Sequence, residues 1–259
     1  MSEQRKTSLT HEDNGETHIR GYSLLELIQH ATFSEAVCLL LTGSLPTAEH
    51  KNVWDAILVS AIDHGLLAPS ADIARRVAST GNTVNTAVAA GISAIGDFHG
   101  GAIEQIGKLL QEFPADTSSS IDELAEKLLA RGLTISKRIP GYGHKVYTTD
   151  PRVIALFAVA KENNLPDHYL QLARAVEKKL ESHAGRKLCI NIDGGMAAIL
   201  SSLGISWQMF RGIFIIARTP GLVAHVYEQH AREKPVIRST DEVVYDGPAK
   251  RPHPKSKKA

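Results

Sequence analysis

Apolar residues recur along most of this chain at the three- and four-residue spacing of amphipathic α-helices. From Tyr169, apolar side chains follow at positions 172, 173, 176 and 180, with Lys178 and Lys179 on the other side, which predicts a helix. Segments rich in Ala, Leu, Ile, Glu and Lys predict further helices over residues 48–65, 69–79, 84–96, 101–112, 151–163, 194–203 and 207–230. No sustained alternation of apolar and polar residues lies between turn signals. The pattern therefore predicts an all-α protein.

Helix ends are marked by residues with special backbone or side-chain properties. Ser23–Glu26 and Ser120–Glu123 have the Ser-x-x-Glu spacing of a capping box, which predicts that helices begin there. Gly43 and Gly132 stand where C-caps would fall, because glycine adopts the left-handed conformation that commonly ends a helix.

Composition narrows the class of protein. The chain has 259 residues, enough for one large domain or for one domain with a smaller lid. A formal net charge of +1 gives no bulk attraction to nucleic acid or to an anionic membrane. Cys38 and Cys189 lie in apolar runs, which is typical of buried free thiols in a reducing compartment. Residues 1–20 are polar and no apolar stretch is long enough to cross a bilayer, so we expect a cytoplasmic protein.

Metal and nucleotide chemistry lack their usual motifs. The sequence contains no H-E-x-x-H, no paired C-x-x-C and no G-x-x-x-x-G-K-[ST], so zinc hydrolysis and direct use of ATP are disfavoured. A polar amino-terminal group could bind a metal, but it is more typical of a solvated arm: His11, Glu12, Asp13, Glu16 and His18. We therefore expect no bound metal ion.

The composition of residues 249–259, which are rich in lysine and interrupted by prolines, predicts a basic, disordered tail.

The loop at residues 139–147 carries the strongest signal of chemistry. Glycines on both sides of Tyr142 let a ligand approach the backbone and leave amides unshielded, and Pro140 stiffens the chain before them. His144 follows as a titratable imidazole, and Lys137 and Arg138 before the loop and Lys145 within it add positive charge. This combination suits an anionic substrate that needs a proton moved, although an ordinary polar loop is the alternative.

Other candidates stand at helix boundaries beside glycines. His99, at the start of a helix, should be neutral and able to donate a hydrogen bond to a developing oxyanion. Asp193 could be a general base, but an aspartate in this position is also a common N-cap. His64 taken alone is typical of a helix end. Arg218 lies among apolar residues, so it needs either an acidic partner or an anionic ligand.

The ordered set of these motifs resembles the citrate synthase superfamily. The resemblance extends over residues 7–248 and includes Ile19–Tyr22 and Leu39–Thr47 near the front of the chain. The matching motifs that carry the candidate chemistry are Asp63–Gly65, His99–Ala102, Pro140–His144, Asp150–Arg152, Asn191–Asp193 and Ala217–Arg218.

One departure from citrate synthases points to a branch of the superfamily. Between Pro46 and Asp63 this chain has one short predicted helix, whereas citrate synthases carry a much longer multi-helix segment there. The compact form resembles citryl-CoA lyases, either the stand-alone enzyme or the carboxy-terminal module of ATP citrate lyase. The resemblance implies a domain over residues 1–248, with a smaller helical lid at roughly 135–230.

The resemblance also implies an activity and its partners. A citryl-CoA lyase cleaves citryl-CoA to acetyl-CoA and oxaloacetate, with coenzyme A entering only as part of the substrate and no other cofactor. Citrate would be activated by a separate citryl-CoA synthetase. The alternatives are a condensing enzyme of the citrate or 2-methylcitrate synthase type and a non-catalytic subunit of a citrate-activating complex.

Residue roles follow from the same resemblance. The catalytic set is His99, His144 and Asp193, and the residues that bind the substrate are His64, Arg152, Arg218 and Arg238. Coenzyme A is assigned to Ile139, Pro140, Gly141, Tyr142 and Gly143, with Lys137, Arg138 or Lys145 near phosphate. Arg238, for which Arg232 or Lys234 are alternatives, would complete a neighbouring subunit's site, so at least a homodimer is expected.

Overall fold

A computed structural model of the chain describes residues 5–115, 118–238 and 242–253. Within these ranges a small sheet precedes eleven α-helices, which confirms the predicted helical fold class. The strands are β1 (Thr10–Asp13), β2 (Glu16–Ile19) and β3 (Tyr22–Ser23). The helices are α1 (Leu24–His30), α2 (Phe33–Thr42), α3 (Lys51–Ser60), α4 (Pro69–Ser79), α5 (Val84–Ser93), α6 (Ala102–Gln111), α7 (Ile121–Ile135), α8 (Pro151–Glu162), α9 (His168–Ala184), α10 (Ile192–Ser202) and α11 (Phe210–Arg232).

The antiparallel sheet at the amino terminus was not predicted. β1 pairs with β2 so that His11 faces His18, and their rings stack with centroids 5.0 Å apart. Asn14 and Gly15 join the strands with φ values of 49° and 81°, as a two-residue hairpin turn requires. The residues of β1 are exposed, as predicted for a solvated segment, but they pair with β2 as strands and do not form an irregular arm. The described residues contain no group of three or more side chains that could hold a metal ion.

Helix ends follow the capping predictions in part. The capping box at Ser120 forms, with Glu123 N donating to Ser120 Oγ at 3.3 Å, and Gly43 is a left-handed C-cap with φ 88°. The box at Ser23 does not form, because its hydroxyl donates to the Glu16 carboxylate instead. Gly132 lies inside α7, where an added Cβ would be 2.4 Å from Ile139 Cδ1. Packing, and not helix termination, explains that glycine.

The core is centred on α10, which is buried along most of its length. Residues 196–200 of α10 are fully buried and pack against α6, α8 and α9. A second, smaller cluster lies between α4, α5 and the second half of α11, and it contains Ala71, Ala74, Ala78, Ala87, Leu222 and Val226. Cys38 and Cys189 are buried free thiols, as predicted. The start of α10 is thus held firmly in the middle of the molecule.

Three other predictions concern the chain as a whole. None of the helices in the described ranges has both the length and the apolar character needed to cross a membrane. Residues 249–253 of the predicted tail are exposed and form neither helix nor strand, and residues 254–259 lie outside the described ranges. The lid at residues 135–230 stays a prediction.

Gly141 and Gly194 bring two backbones into direct contact beside Asp193. A Cβ at Gly194 would lie 2.4 Å from the Gly141 carbonyl oxygen. We expect Gly194→Ala to lower the free energy of unfolding by about 1–3 kcal/mol, because a rigid backbone must move. Gly212→Ala is the control, since a Cβ there meets nothing within 4 Å. Urea denaturation of both variants measures the difference, and equal stabilities would contradict this packing argument.

Candidate active site

Three histidines, two arginines and one aspartate come together from distant parts of the chain. The His64 and His144 rings meet edge to face with centroids 6.3 Å apart, and Arg152 Nη1 lies 3.4 Å from His64 Nδ1. The charge of Arg218 is close enough to lower the pKa values of His64, His99 and Asp193. Six of the predicted site residues therefore share one region. Their catalytic and binding roles stay predictions.

His99 is held as a neutral imidazole by the first turn of α4. Ser70 N donates to His99 Nε2 at 3.2 Å, and Ser70 Oγ lies 2.9 Å from the same nitrogen. A nitrogen that accepts a backbone N–H cannot carry a proton, so the proton is on Nδ1. Burial lowers the pKa of His99, and the positive charge of Arg218 lowers it further. His99 thus presents one N–H donor, Nδ1–H. The sequence analysis placed His99 at the start of the helix that follows it, α6, but the helix that fixes its protonation is α4.

His144 is oriented by its own loop. Val146 N and Tyr147 N each donate to His144 Nδ1 at 3.1 Å. The Tyr147 ring stacks on the imidazole with a centroid distance of 4.5 Å. Because Nδ1 accepts these bonds, the proton of the neutral imidazole lies on Nε2, which is the nitrogen that can donate it to a ligand.

Arg152 is fixed by a carboxylate in the first turn of α8. Its Nε and Nη2 donate to the two oxygens of Asp150 at 2.9 and 2.7 Å. The Asp150 side chain is completely buried. Burial raises the pKa of Asp150, but the bonds from Arg152 outweigh that effect and hold the pKa below its usual value. One edge of the guanidinium is therefore committed to Asp150, and Nη1 remains directed towards His64.

Asp193 lies in the first turn of α10 without capping it. The N-cap is Asn191, whose Oδ1 accepts the Gly194 N–H at 3.2 Å, so the alternative that Asp193 is the N-cap is wrong. Burial raises the pKa of Asp193 to about 6, against the lowering influence of Arg152 and Arg218. A carboxyl group with this pKa can both take up and release a proton near neutral pH.

Arg218 is a buried cation in the middle of α11. The residue is 4% exposed, its Nε donates to Ala61 O at 2.8 Å, and the guanidinium lies 5.0 Å from the Phe214 ring centroid. Within the described part of the chain no carboxylate lies at ion-pair distance from it, so the alternative of a structural ion pair is not observed. Burial lowers the pKa of Arg218. A buried guanidinium with spare donors is well suited to an anionic ligand.

The loop predicted to bind coenzyme A is packed more tightly than expected. Ile139 is buried, and the Tyr142 hydroxyl donates to Ala173 O at 3.0 Å. Gly143 N donates to Cys189 O at 2.7 Å, so this amide is not free for a ligand as predicted. Lys137, Arg138 and Lys145 are exposed, and Pro140 is partly buried. A ligand at this loop would meet its backbone and its cations, and the coenzyme assignment stays a prediction.

Arg238 lies apart from the cluster in its own chain. Val236 N and Ile237 N bond Ser79 O and Ser79 Oγ at 2.8 and 3.1 Å, which places this segment at the carboxy-terminal end of α4. The Ser70 amide that holds His99 is at the other end, about 14 Å away along the helix. Arg238 is exposed, as are the alternatives Arg232 and Lys234. Its role in a neighbouring subunit's site remains a prediction.

Three functional contacts were not predicted. Ser70 contacts His99, Tyr147 stacks on His144, and the Asp150 carboxylate holds Arg152. The Asp150-Pro151 pair at the start of α8 is a helix-start signal that could have identified Asp150 as an N-cap. No local pattern pointed to Ser70, whose partner is 29 residues away.

Comparison with known proteins identifies relatives along nearly the whole chain. The family model described as "Citrate synthase, C-terminal domain" matches residues 2–58 and 46–240. The citrate/2-methylcitrate synthase of Bacillus subtilis (strain 168) is 33% identical over 214 residues, which is 80% of this chain and 55% of that protein. The chain spans about half the length of the curated relatives it matches.

Two solved structures extend the comparison. The structure of citryl-CoA lyase from Hydrogenobacter thermophilus superimposes with a TM-score of 0.88 at 41% identity, and it covers 97% of this chain and 98% of that one. The structure of ATP citrate lyase from Methanothrix soehngenii, in complex with citrate and coenzyme A, gives a TM-score of 0.80 at 19% identity. That match covers 100% of this chain and 44% of the larger protein, and it supports the fold alone.

Proposed function

Because this chain belongs to the citrate synthase family, we propose that it is a citryl-CoA lyase, which cleaves citryl-CoA to acetyl-CoA and oxaloacetate. The observation that carries the proposal is the end-to-end likeness to the Hydrogenobacter thermophilus citryl-CoA lyase, at 41% identity over 97% of this chain. A condensing enzyme is the second candidate, favoured by the 33% identity to the Bacillus subtilis citrate/2-methylcitrate synthase.

The geometry of the cluster supports a retro-Claisen cleavage. For cleavage the imidazole proton of His144 must move to Nδ1, in exchange for the hydrogen bonds from Val146 N and Tyr147 N, so that Nε2 is free to act as the base. His144 Nε2 then takes the proton of the tertiary hydroxyl, the carbon-carbon bond breaks, and its electron pair moves into the thioester enolate. The Nδ1–H of His99 donates to the enolate oxygen, and protonated Asp193 delivers a proton to the enolate carbon. Oxaloacetate and acetyl-CoA leave, and the enzyme has moved one proton from Asp193 to His144. Arg152 and Arg218 would bind the carboxylates.

We also propose how the protein binds coenzyme A and how its subunits assemble. The exposed cations Lys137, Arg138 and Lys145 lie beside the loop and suit phosphate groups. Coenzyme A serves only as the carrier of the acyl group. The separation of Arg238 from the cluster in its own chain is compatible with a homodimer in which it reaches the neighbouring site. Turnover with citrate would further need a citryl-CoA synthetase.

A two-way assay tests the proposed reaction. Given citryl-CoA, the purified protein should release acetyl-CoA and oxaloacetate in equal amounts, with little free citrate. Given acetyl-CoA and oxaloacetate, it should release little free coenzyme A, because a lyase does not hydrolyse the thioester. Rapid release of free coenzyme A from that mixture, with negligible cleavage, would reject the proposal in favour of a synthase. Absence of turnover in both directions would favour the non-catalytic subunit.

The pH dependence of the two directions should be the same. Cleavage needs the proton on Asp193 and a neutral His144, whereas condensation needs the reverse, so both need one proton on the pair. The interconversion of citryl-CoA with acetyl-CoA and oxaloacetate consumes no net proton. We therefore expect superimposable bell-shaped profiles of kcat/KM, one limb of which lies near pH 6, where Asp193 titrates. Profiles that move in opposite directions would contradict the shared acid-base pair.

A further inference from the structure

α11 is tied to the turn after α3 at three successive points. This turn carries His64 into the cluster and leads on to α4. The first contact is a side-chain hydrogen bond, the second a close approach of two backbones, and the third a pairing of a histidine with a carboxylate. Arg218 Nε donates to Ala61 O at 2.8 Å. Gly221 lies so close to Ile62 that a Cβ added to the glycine would be 2.3 Å from the Ile62 carbonyl oxygen. His225 Nε2 lies 3.0 Å from Asp63 Oδ1.

The three residues on α11 lie on one face of the helix. Arg218, Gly221 and His225 are spaced at i, i+3 and i+7, so they point in one direction. The face that presents the buried guanidinium to the cluster is therefore the face that holds the turn carrying His64. Any shift of this turn along α11 would move His64 relative to Arg218.

The Asp63 side chain links α11 to the backbone that follows His64. Its Oδ2 accepts the Gly65 N–H at 2.9 Å, which closes the turn around His64, and its Oδ1 faces His225. Burial raises the pKa of Asp63, but the amides of Gly65 and His64 and the ring of His225 outweigh that effect and lower the pKa. The carboxylate is thus ionised and has an acceptor for each partner.

We propose that His225 is a positioning residue: by bonding Asp63 it fixes the turn that presents His64 to the substrate, and so sets the distance from His64 to Arg152 and Arg218. The inference rests on the proposed function, because it assumes that a carboxylate of the substrate binds between these groups. His64 Nδ1 lies 3.4 Å from Arg152 Nη1, so a small displacement of the turn would open the space that a carboxylate must fill.

The solvent exposure of the Asp63–His225 pair allows its effect on substrate binding to be measured separately from its effect on the stability of the fold. The Asp63 side chain is 42% exposed and the His225 side chain 13%. Because solvent reaches the Asp63 carboxylate and screens its charge, the pair contributes little to the free energy of folding. Loss of the pair should therefore appear in the affinity for substrate while the stability stays close to that of the unmodified protein.

The test measures binding, turnover and stability in parallel on the full-length protein. In His225→Leu we expect about a tenfold weaker Kd for oxaloacetate by calorimetry and a similar rise in KM for citryl-CoA, with kcat changed by less than about threefold. His225→Gln, which can still donate an N–H to Asp63, should recover most of the affinity. His230→Leu, on the exposed side of the same helix, is the matched control and should match the unmodified protein.

A double-mutant cycle identifies the path of the effect. In Asp63→Asn the side-chain NH2 group must face either the Gly65 amide or His225, so one of these two hydrogen bonds is lost. This single variant should therefore weaken oxaloacetate binding as much as His225→Leu does. The double variant should bind oxaloacetate no more weakly than either single variant. Additive losses would overturn the proposal, as would a lowered Tm in His225→Leu with unchanged Kd. Unaltered binding in His225→Leu would overturn only the positioning role. An unmodified protein that neither binds oxaloacetate nor turns over citryl-CoA would overturn the proposed function itself.

Discussion

Asp193→Asn should yield a folded protein whose cleavage of citryl-CoA is about a hundred to ten thousand times slower than that of the unmodified protein. The amide has nearly the shape of the carboxyl group but cannot pass a proton to or from carbon. The pKa of about 6 at Asp193 makes the native carboxyl group effective in both directions near neutral pH, and the variant loses that property. Steady-state assays should place most of the loss in kcat, because no charged contact to the oxaloacetate part is removed.

The stability of the same variant provides an independent check. Burial raises the pKa of Asp193 from 3.8 to about 6, so the folded protein binds the proton more tightly than the unfolded chain. The stability gained from that proton is present below pH 3.8 and is lost as the pH rises through 6. At pH 7.5 Asp193→Asn should therefore have a Tm at least equal to that of the unmodified protein. Asp13→Asn, on the exposed strand β1, is the control, and a marked fall in Tm for Asp193→Asn alone would contradict the electrostatic account.

The regular part of the fold could be predicted from local signals. The range predicted for α4 coincides with Pro69–Ser79, because a proline at its first position and an alanine-rich apolar face mark the helix. The hairpin could not be recognised from alternation, since every residue of β1 is exposed and no apolar face is required. Its remaining signal is the Asn14-Gly15 pair, which is typical of a two-residue turn.

The candidate site was predictable residue by residue only where a motif is contiguous in sequence. The motifs around His99, His144 and Asp193 are contiguous, whereas the groups that orient them are not. His225 meets Asp63 across 162 residues, and Ser70 meets His99 across 29. Such contacts depend on how α4 and α11 pack, which no local pattern records. For the same reason the sequence could not distinguish Asn191 from Asp193 as the N-cap of α10.

The arrangement of charge in the cluster explains why His64 and His99 must be neutral. Desolvation lowers the pKa of His64, and the nearby guanidinium groups of Arg152 and Arg218 lower it further. Burial and Arg218 act on His99 in the same direction. Two arginines therefore supply the positive charge that an anionic substrate needs, and a histidine beside them acts through a neutral N–H. The catalytic value of His99 should lie in that N–H and not in a positive charge.

His99→Leu should accordingly lower kcat for cleavage by about a hundred- to a thousandfold, which is the usual effect of removing one donor to a developing oxyanion. Ser70→Ala is the informative control, because it removes the hydroxyl but keeps the backbone amide that bonds His99 Nε2 at 3.2 Å. The amide alone fixes the tautomer, so kcat should fall by less than about fivefold in Ser70→Ala. Nitrogen NMR of the imidazole should show the proton on Nδ1 in both Ser70→Ala and the unmodified protein. If Ser70→Ala is as slow as His99→Leu, the hydroxyl and not the α4 amide sets the state of His99, and the proposed origin of its donor is wrong.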